Sequence, residues 1–254
     1  MRKCLPASVA PFVMLAIGPA LAADLPAYPA YPAYKAPWAP PIYSWTGCYV
    51  GGEGGGAWGT SNHTAESGVD AGRTITGNFG ITGGLAGGTV GCNYQVGRWV
   101  FGVEDDMSWI NTKGSTPDLA PFNINSVSTT QQDWLDTLRG RLGVAWGRTL
   151  IYATGGAAFT GADVTVCPLA GCVSQSKTVT GWTVGGGVEY AFLNGWSVKL
   201  EYLYADFGSP QFINPPVALG AGTVLTRNVR LDDNIVRAGL NYRFNWPSPA
   251  ATWF

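Results

Sequence analysis

The chain has 254 residues, a formal net charge of −1 at pH 7 and only 12% charged residues. So sparse and balanced a charge excludes proteins whose partner is a polyanion, and the sequence therefore predicts no nucleic-acid partner. Hydrophobic residues make up 46% of the chain, and glycine (36 residues) and aromatic residues (13%) are both abundant. This composition favours close-packed, strongly curved strands over helices.

The first 22 residues have the layout of a cleaved export signal. Met1-Arg2-Lys3 is basic, a mostly apolar run follows as far as Leu21, and small residues surround the predicted cleavage point after Ala22. Residues 23–42 are rich in Pro, Ala and Tyr, which predicts an extended, polyproline-like periplasmic tail. The tail is either a spacer or a segment that docks on cell-wall peptidoglycan, and the sequence leaves both interpretations open.

After the tail, strand-like segments are joined alternately by short and long connections. Tight turns are predicted at residues 97–98, 147–148 and 194–195, and long polar loops at about residues 60–78, 111–128, 161–176 and 208–228. Sorting of loops by length is typical of bacterial outer-membrane barrels and not of soluble sandwiches. The predicted fold is therefore all-β: an eight-stranded antiparallel transmembrane β-barrel over residues 43–246, with four long surface loops and three short periplasmic turns. Residues 247–254 are predicted to form a C-terminal tail.

Side chains alternate in character along each strand-like segment. In residues 196–204, for example, aromatic and aliphatic side chains alternate with Ser197, Lys199 and Glu201. In a membrane barrel the apolar row faces lipid and the polar row faces the lumen. The predicted lumen therefore carries a charge network: Glu104, Asp106, Arg139, Arg141, Glu189, Lys199, Glu201, Arg237 and Arg243. Because eight strands enclose a space that side chains just fill, these charges predict either a salt-bridged plug or the lining of a narrow polar channel.

Other polar residues give no sign of catalysis. The single histidine, His63, falls in the first predicted long loop near Ser61 and Glu66, and one histidine is a poor metal site. No phosphate loop or dinucleotide fingerprint appears. The sequence therefore predicts no enzyme, no catalytic residue, no cofactor and no metal site. Asp105 falls by parity on the lipid side, so we expect it near the outer interface, where a charge costs least.

Four cysteines remain once the export signal is removed. Cys167 and Cys172 flank a turn with Pro and Gly in the third predicted long loop, and they predict a small loop disulfide. Cys48 and Cys92 belong to the first two strands, where parity places both on the lipid side. They predict either a cross-strand disulfide or two thiols packed as small hydrophobic groups.

A set of motifs together resembles one family. The motifs are Ala22-Ala23-Asp24-Leu25-Pro26, Trp45-Thr46-Gly47-Cys48-Tyr49-Val50-Gly51-Gly52, Val100-Phe101-Gly102-Val103-Glu104, Tyr152-Ala153-Thr154-Gly155-Gly156, Gly186-Gly187-Val188-Glu189-Tyr190, Lys199-Leu200-Glu201-Tyr202-Leu203-Tyr204 and Gly239-Leu240-Asn241-Tyr242-Arg243-Phe244. With them, nearly the whole mature chain resembles the small alphaproteobacterial outer-membrane β-barrel proteins, the RopB-like surface antigens and porin-family proteins. The resemblance implies a location in the cell outer membrane, among outer-membrane lipid, with the barrel assembly machinery as a partner and host-surface contact as a further one.

The resemblance also implies that a terminal aromatic residue is recognised during assembly. Phe244, Tyr242 and Leu240 form a clean lipid-facing row and are the predicted signal, with Phe254 as the alternative beyond two prolines. The predicted function is structural: envelope integrity and surface presentation, which can include weak conductance of small solutes. A general diffusion porin is one alternative, and an adhesin or haemin-binding surface receptor is a second.

Overall fold

The computed structural model describes residues 43–68, 70–167, 171–193, 195–214 and 225–244. These belong to one compact unit, Ile42–Phe254. The predicted export signal (residues 1–22), the periplasmic tail (residues 23–42) and the C-terminal tail (residues 247–254) lie outside the described residues. Within the described ranges, no helix is long and apolar enough to span a membrane.

Ten antiparallel strands make up the described fold, and eight of them close into a ring. The strands are β1 (Gly47–Ala65), β2 (Phe79–Val96), β3 (Trp99–Ile110), β4 (Lys113–Pro117), β5 (Val127–Trp146), β6 (Thr149–Cys167), β7 (Val173–Leu193), β8 (Trp196–Asp206), β9 (Gln211–Asn214) and β10 (Leu225–Arg243). The short strands β4 and β9 lie in connections, where β4 pairs with β2 and β5 and β9 pairs with β10. Strand β1 pairs with both β2 and β10, which closes the ring. This confirms the predicted eight-stranded barrel, whose closure removes the open sheet edges that lipid would not tolerate.

The short turns lie where the sequence predicts them, whereas two of the long loops are shorter than predicted. Gly97 and Gly147 adopt positive φ angles of 60° and 58° in the β2–β3 and β5–β6 turns, a conformation that glycine adopts without strain. The predicted loop over residues 161–176 is wrong in its bounds, because β6 continues to Cys167 and β7 begins at Val173. His63, predicted in a loop, likewise lies within β1. β1 and β6 extend beyond the predicted bounds because every second side chain, such as that of Val164, remains buried inside the barrel.

Two rows of aromatic side chains mark the part of the barrel that lies in lipid. The outer row includes Trp58, Trp109, Trp182 and Tyr204, and the inner row includes Trp99, Trp146, Trp196 and Tyr242. The ten residue steps from Trp99 to Trp109, at about 3.4 Å each and a tilt of about 40°, span about 26 Å across the membrane. That height matches the apolar band of an outer-membrane barrel, so the strands beyond the outer row stand above the membrane.

The predicted position of Asp105 near the outer interface is wrong. Asp105 lies on β3 six residues after Trp99 and four before Trp109, with Leu138 of β5 directly opposite. It borders an apolar part of the lipid face together with Val103 and Leu138. Alternation along a strand fixes the face of a side chain but not its depth, which is why the sequence misplaced this residue.

Both cysteine pairs form disulfides. Cys48 and Cys92 lie directly opposite each other on β1 and β2, and both are exposed on the lipid face. The bond resolves the alternative of two packed thiols in favour of a cross-strand disulfide. Cys167 and Cys172 are bonded across the end of the β6–β7 hairpin, as the sequence predicts.

Candidate functional site

The part of the lumen that lies within the membrane is filled by charged side chains from six strands. We call this set the lumen plug: Glu53, Glu104, Asp106, Arg139, Arg141, Glu189, Lys199, Glu201 and Arg237. The side chains that face inward alternate with those that face lipid, so consecutive plug residues on one strand are two positions apart. Every member is buried, and the most exposed of them, Glu53, has only 8% of its surface accessible.

Arg139 on β5 lies at the centre of the plug and contacts three carboxylates. Its Nη2 atom donates to Glu104 Oε1 at 2.6 Å and to Asp106 on the same neighbouring strand, and its Nη1 atom donates to Glu201 Oε1 at 3.0 Å. The guanidinium group therefore links β5 to β3 on one side and reaches across the lumen to β8. Because all these side chains are fully buried, the pairs are not weakened by solvent.

Two further cations complete the middle of the plug. Arg237 on β10 bonds Glu53 at 2.5 Å, Glu201 at 2.6 Å and Asp106 at 2.9 Å. Lys199 on β8 lies 3.2 Å from Glu53 and 3.3 Å from both Glu104 and Asp106. Each carboxylate here meets at least two cations, so the charges neutralise one another without water.

Arg141 forms a second group of contacts closer to the inner mouth. Its Nη2 atom donates to Glu189 Oε2 at 2.5 Å, and its guanidinium group stacks 3.5 Å from the ring centroid of Tyr152. The other oxygen of Glu189 accepts from Ser197 at 2.5 Å and from Asn241 at 3.1 Å. The Glu189 carboxylate thus has three donors, and the Arg141 guanidinium lies on an aromatic face, with its Nε atom left without a hydrogen-bond partner among the described residues.

Glycines on the inner wall make room for the plug. A Cβ atom at Gly187 would lie 2.7 Å from Tyr152 Oη, and one at Gly239 would lie 2.9 Å from Lys199 Cε. Real Cβ atoms do not approach so closely, so larger residues at these positions would displace the long side chains they face. The many glycines of the sequence therefore allow large charged side chains to fill a small barrel.

The plug differs from the predicted charge network in two residues. Glu53 belongs to the plug but is not among the predicted residues. Glycines surround it on both faces of β1, so the alternation of polar and apolar side chains cannot be seen there. Its parity with Tyr49 and Ala57, which also face inward, is the signal that would have identified it. Arg243, in contrast, lies outside the plug at the inner mouth, where it stacks on Tyr43 at 4.4 Å and donates to the Ser44 carbonyl. Arg243 is the last residue of β10, so its side chain lies below the charged layers.

The inner mouth is closed by Trp45, which precedes β1. Only 1% of its surface is exposed, and it packs in an apolar cluster with Val100 and Leu150. Its backbone N donates to Gln95 Oε1 at 2.7 Å, and its indole Nε1 donates to the Gly147 carbonyl at 3.3 Å. The hydrogen bonds and the apolar contacts together fix the indole across the periplasmic end of the barrel.

Beyond the plug, on the outer side, the lumen is filled by an apolar layer. Its fully buried members include Leu203, Ile235 and Leu135, which follow the charged residues of β8, β10 and β5 along the same inner rows. From the inner mouth outward, the lumen thus holds an indole, a salt-bridged plug and an apolar layer. Within the described ranges, no group of three or more His, Cys, Asp or Glu is placed to hold a metal ion.

The three residues of the predicted assembly signal face outward at the inner end of β10. Phe244 is 47% exposed, Leu240 46% and Tyr242 39%, and the rings of Tyr242 and Phe244 lie 5.4 Å apart. The backbone N of Phe244 donates to the Cys48 carbonyl at 2.9 Å, so this residue still pairs with the first strand. Phe254 lies outside the described residues.

Comparison with known proteins gives a consistent result. Residues 20–244 match the family model described as "outer membrane protein beta-barrel domain". The chain is 34% identical to the 31 kDa outer-membrane immunogenic protein of Brucella melitensis, over 96% of this chain and 100% of that protein. It is 30% identical to a 22 kDa outer membrane protein of Rhizobium leguminosarum, over 80% of each chain. Among solved structures, the outer membrane protein OprG of Pseudomonas aeruginosa aligns with a TM-score of 0.48 and 14% identity, over 79% of this chain and 97% of that one.

Proposed function

The chain belongs to the outer membrane protein β-barrel family, and from this premise we propose that it is a closed barrel that strengthens the outer membrane and presents loops at the cell surface. The proposal separates it from a general diffusion porin, whose lumen must admit water and solutes. Relatives named outer-membrane immunogenic protein support surface presentation, because loops of an outer-membrane barrel are the part of it that faces the outside of the cell.

The observation that carries the proposal is the lumen plug. Five carboxylates and four cations fill the barrel at mid-membrane, and the Arg139, Glu104 and Asp106 side chains have no accessible surface. A conducting pore needs solvated, separated charges along its wall, whereas these charges are paired directly with one another. Trp45 below and the apolar layer above the plug add two further closures.

Planar-bilayer recording of the purified, heat-modifiable protein tests closure. We expect no steady conductance from the parent, and steps of conductance from a variant in which Glu104, Asp106 and Arg139 are all replaced by Ala, which empties the middle of the plug. Ohmic steps from the parent protein would favour the porin and refute the closed barrel. A strain that lacks the gene for this protein supplies the physiological test. We expect this strain to be more sensitive to detergents than the wild type, and we expect the parental gene to restore resistance.

A second candidate function, contact with a host surface, is favoured by apolar side chains on the outer connections. Ile124 is 63% exposed, Ile213 54% and Leu119 47%, all of them beyond the outer aromatic row. Such residues are available for contact with another surface. Adhesion of cells that display the parent or Ile124→Asn to host-cell monolayers measures this role, and equal adhesion of the two strains would argue against it. A haemin receptor has less support, because the single histidine, His63, is fully buried.

Peptidoglycan remains a proposed partner of the residues that precede the barrel. The described chain begins at Tyr43 beside the inner mouth, where Arg243 stacks on its ring. The Pro-, Ala- and Tyr-rich composition of residues 23–42 is typical of extended segments that bind other polymers. Sedimentation of the full-length protein and of a variant lacking residues 24–41 with purified peptidoglycan tests this partner. Equal amounts of both proteins in the pellet would argue against it.

A further inference from the structure

Above the outer aromatic row, two loop segments pack against each other at the outer end of β1. We call them the lid: residues 74–76 from the β1–β2 connection and residues 119–122 from the β4–β5 connection. The Leu119 backbone N donates to the Ile75 carbonyl at 2.7 Å, which joins the two segments. Ile75 is fully buried and belongs to a small apolar cluster against which Phe122 packs. The lid is therefore an ordered unit with a core of its own.

His63 on β1 attaches the lid to the barrel wall. Its carbonyl accepts from the backbone N atoms of Ile75 at 2.8 Å and of Thr76 at 3.2 Å, and its own backbone N donates to Thr76 Oγ1 at 3.0 Å. The imidazole is fully buried, and its Nε2 atom lies 3.0 Å from Thr130 Oγ1 on β5. Its Nδ1 atom has no hydrogen-bond partner among the residues that the structure describes. A proton added at Nδ1 would therefore create a buried charge and a buried N–H donor without an acceptor, which is energetically costly.

The charged groups around the ring do not compensate for such a proton. Arg227 on β10 is the nearest, and it carries a positive charge of its own. Asp118, in the connection after β4, already accepts from Ser128 at 2.7 Å and lies 3.7 Å from Arg227. Asp233 on β10 accepts from the Gln132 amide at 2.6 Å through Oδ2, and its Oδ1 atom has no hydrogen-bond partner among the described residues. Within the described part of the chain, no hydrogen bond or ion pair joins a carboxylate to the imidazole of His63.

We propose that His63 is an acid-sensitive latch, which holds the lid against β1 while it is neutral and releases the lid when it is protonated. His63 lies five residues beyond Trp58, above the membrane, so protons from the medium reach the site once the lid opens. The lumen plug below is not involved, and the latch acts whether or not the barrel conducts.

The direction of the pH effect follows from linkage. Burial, with a smaller contribution from the Arg227 charge, lowers the pKa of His63 to about 3 in the closed lid. In an open lid the ring is solvated and has its ordinary pKa of about 6.5. The closed state is therefore fully favoured above about pH 6.5 and loses stability as the pH falls toward 3, which raises the opening equilibrium by about 90-fold between pH 7.5 and pH 4.5. Asp118 works the other way, because burial raises its pKa and the closed state binds its proton more readily.

Hydrogen–deuterium exchange of the refolded full-length protein, corrected for the intrinsic rate at each pH, tests the latch. The amides of Ile75 and Leu119, which bond only when the lid is closed, should lose about 90-fold of their protection between pH 7.5 and pH 4.5, while amides of the lumen plug keep theirs. In His63→Gln, whose side chain stays neutral, the lid amides should keep the same protection at both pH values. Asp233→Asn is the matched control for a second buried carboxyl group above the plug, and it should respond like the parent.

Each other outcome overturns the proposal. Unchanged lid protection in the parent, an equal loss in His63→Gln, or a response abolished by Asp233→Asn would each show that His63 is not the latch. Simultaneous loss of protection in lid and plug would show global unfolding instead. Should His63→Gln fail to fold, the parent alone decides: lid opening must rise as the pH falls below about 6.5, because the open state binds the proton of His63 more readily. Constant or falling opening over that range refutes the latch.

Discussion

Replacing Arg139 with Ala is the most direct perturbation of the lumen plug. The change removes the contacts to Glu104 and Glu201, at 2.6 and 3.0 Å, and the contact to Asp106. The plug then contains five carboxylates and only three cations. Breaking a buried pair by removing one partner costs about 3–5 kcal/mol, because the remaining charge is desolvated without compensation.

The remaining cations limit the loss. Asp106 and Glu201 keep Arg237, at 2.9 and 2.6 Å, and Glu104 keeps Lys199 at 3.3 Å. We therefore expect the free energy of unfolding to fall by about 3 kcal/mol, the lower end of that range, rather than by a separate penalty for each contact. At a urea m-value of about 2 kcal/mol per M, the unfolding midpoint should decrease by about 1.5 M.

The assay is urea unfolding in lipid vesicles, followed by tryptophan fluorescence and by heat-modifiable gel migration. Arg148→Ala is the matched control, because Arg148 is exposed in the β5–β6 turn and donates only to the Phe192 carbonyl among the described residues. Combining Arg139→Ala with Glu201→Gln should recover part of the loss, since one stranded charge is removed with the cation. If Arg139→Ala unfolds at the parental urea concentration while conductance appears, the lumen is a wet pore and the reasoning fails.

Three further predictions follow from features outside the plug. Phe244→Ala should reduce the folded fraction in outer-membrane preparations, while truncation after Trp246 should leave it unchanged; the reverse result would assign the assembly signal to Phe254. Gly87→Ala should destabilise the barrel, because the new Cβ would lie 2.6 Å from the backbone of Ser108, whereas Gly88→Ala, whose nearest neighbour is 3.6 Å away, should be tolerated. Equal melting temperatures for these two variants would contradict the role of inner-wall glycines. Non-reducing digestion should yield the two cysteines of the β6–β7 hairpin in one cross-linked peptide, and two free thiols there would contradict the bond.

The sequence predicts the inward and outward faces well, because the period of two is independent of strand pairing. Lys199 and Glu201 alternate with large apolar side chains, and the structure buries both. Alternation does not reveal the inward face where both faces of a strand carry the same residue type. Glu53 lies among glycines on either side of β1, so the alternation around it cannot be seen.

The depth of a residue in the membrane is harder to predict from the sequence than the face of the strand on which its side chain lies. The upper part of β6 carries polar side chains outward because water, not lipid, surrounds it, and a polar stretch of this kind resembles a loop in sequence. Asp105 shows the same limitation, since parity gives its face but not its depth. Its depth follows from the register between β3 and β5, which places Leu138 opposite it between the two aromatic rows.

Because of its location, the Cys48–Cys92 bond differs from the Cys167–Cys172 bond in when it can form and in whether soluble reductants can reach it. The sulfur atoms of Cys48 and Cys92 both face the hydrocarbon region, beside Val50, Val90 and Val103. Oxidation by a water-soluble enzyme is therefore confined to the time before insertion, when β1 and β2 are still in the periplasm. After insertion the lipid shields this bond from soluble reductants, while the disulfide of the β6–β7 hairpin stands in the external medium. The first bond is therefore inaccessible to soluble reductants once the barrel is inserted, whereas the second remains accessible to them.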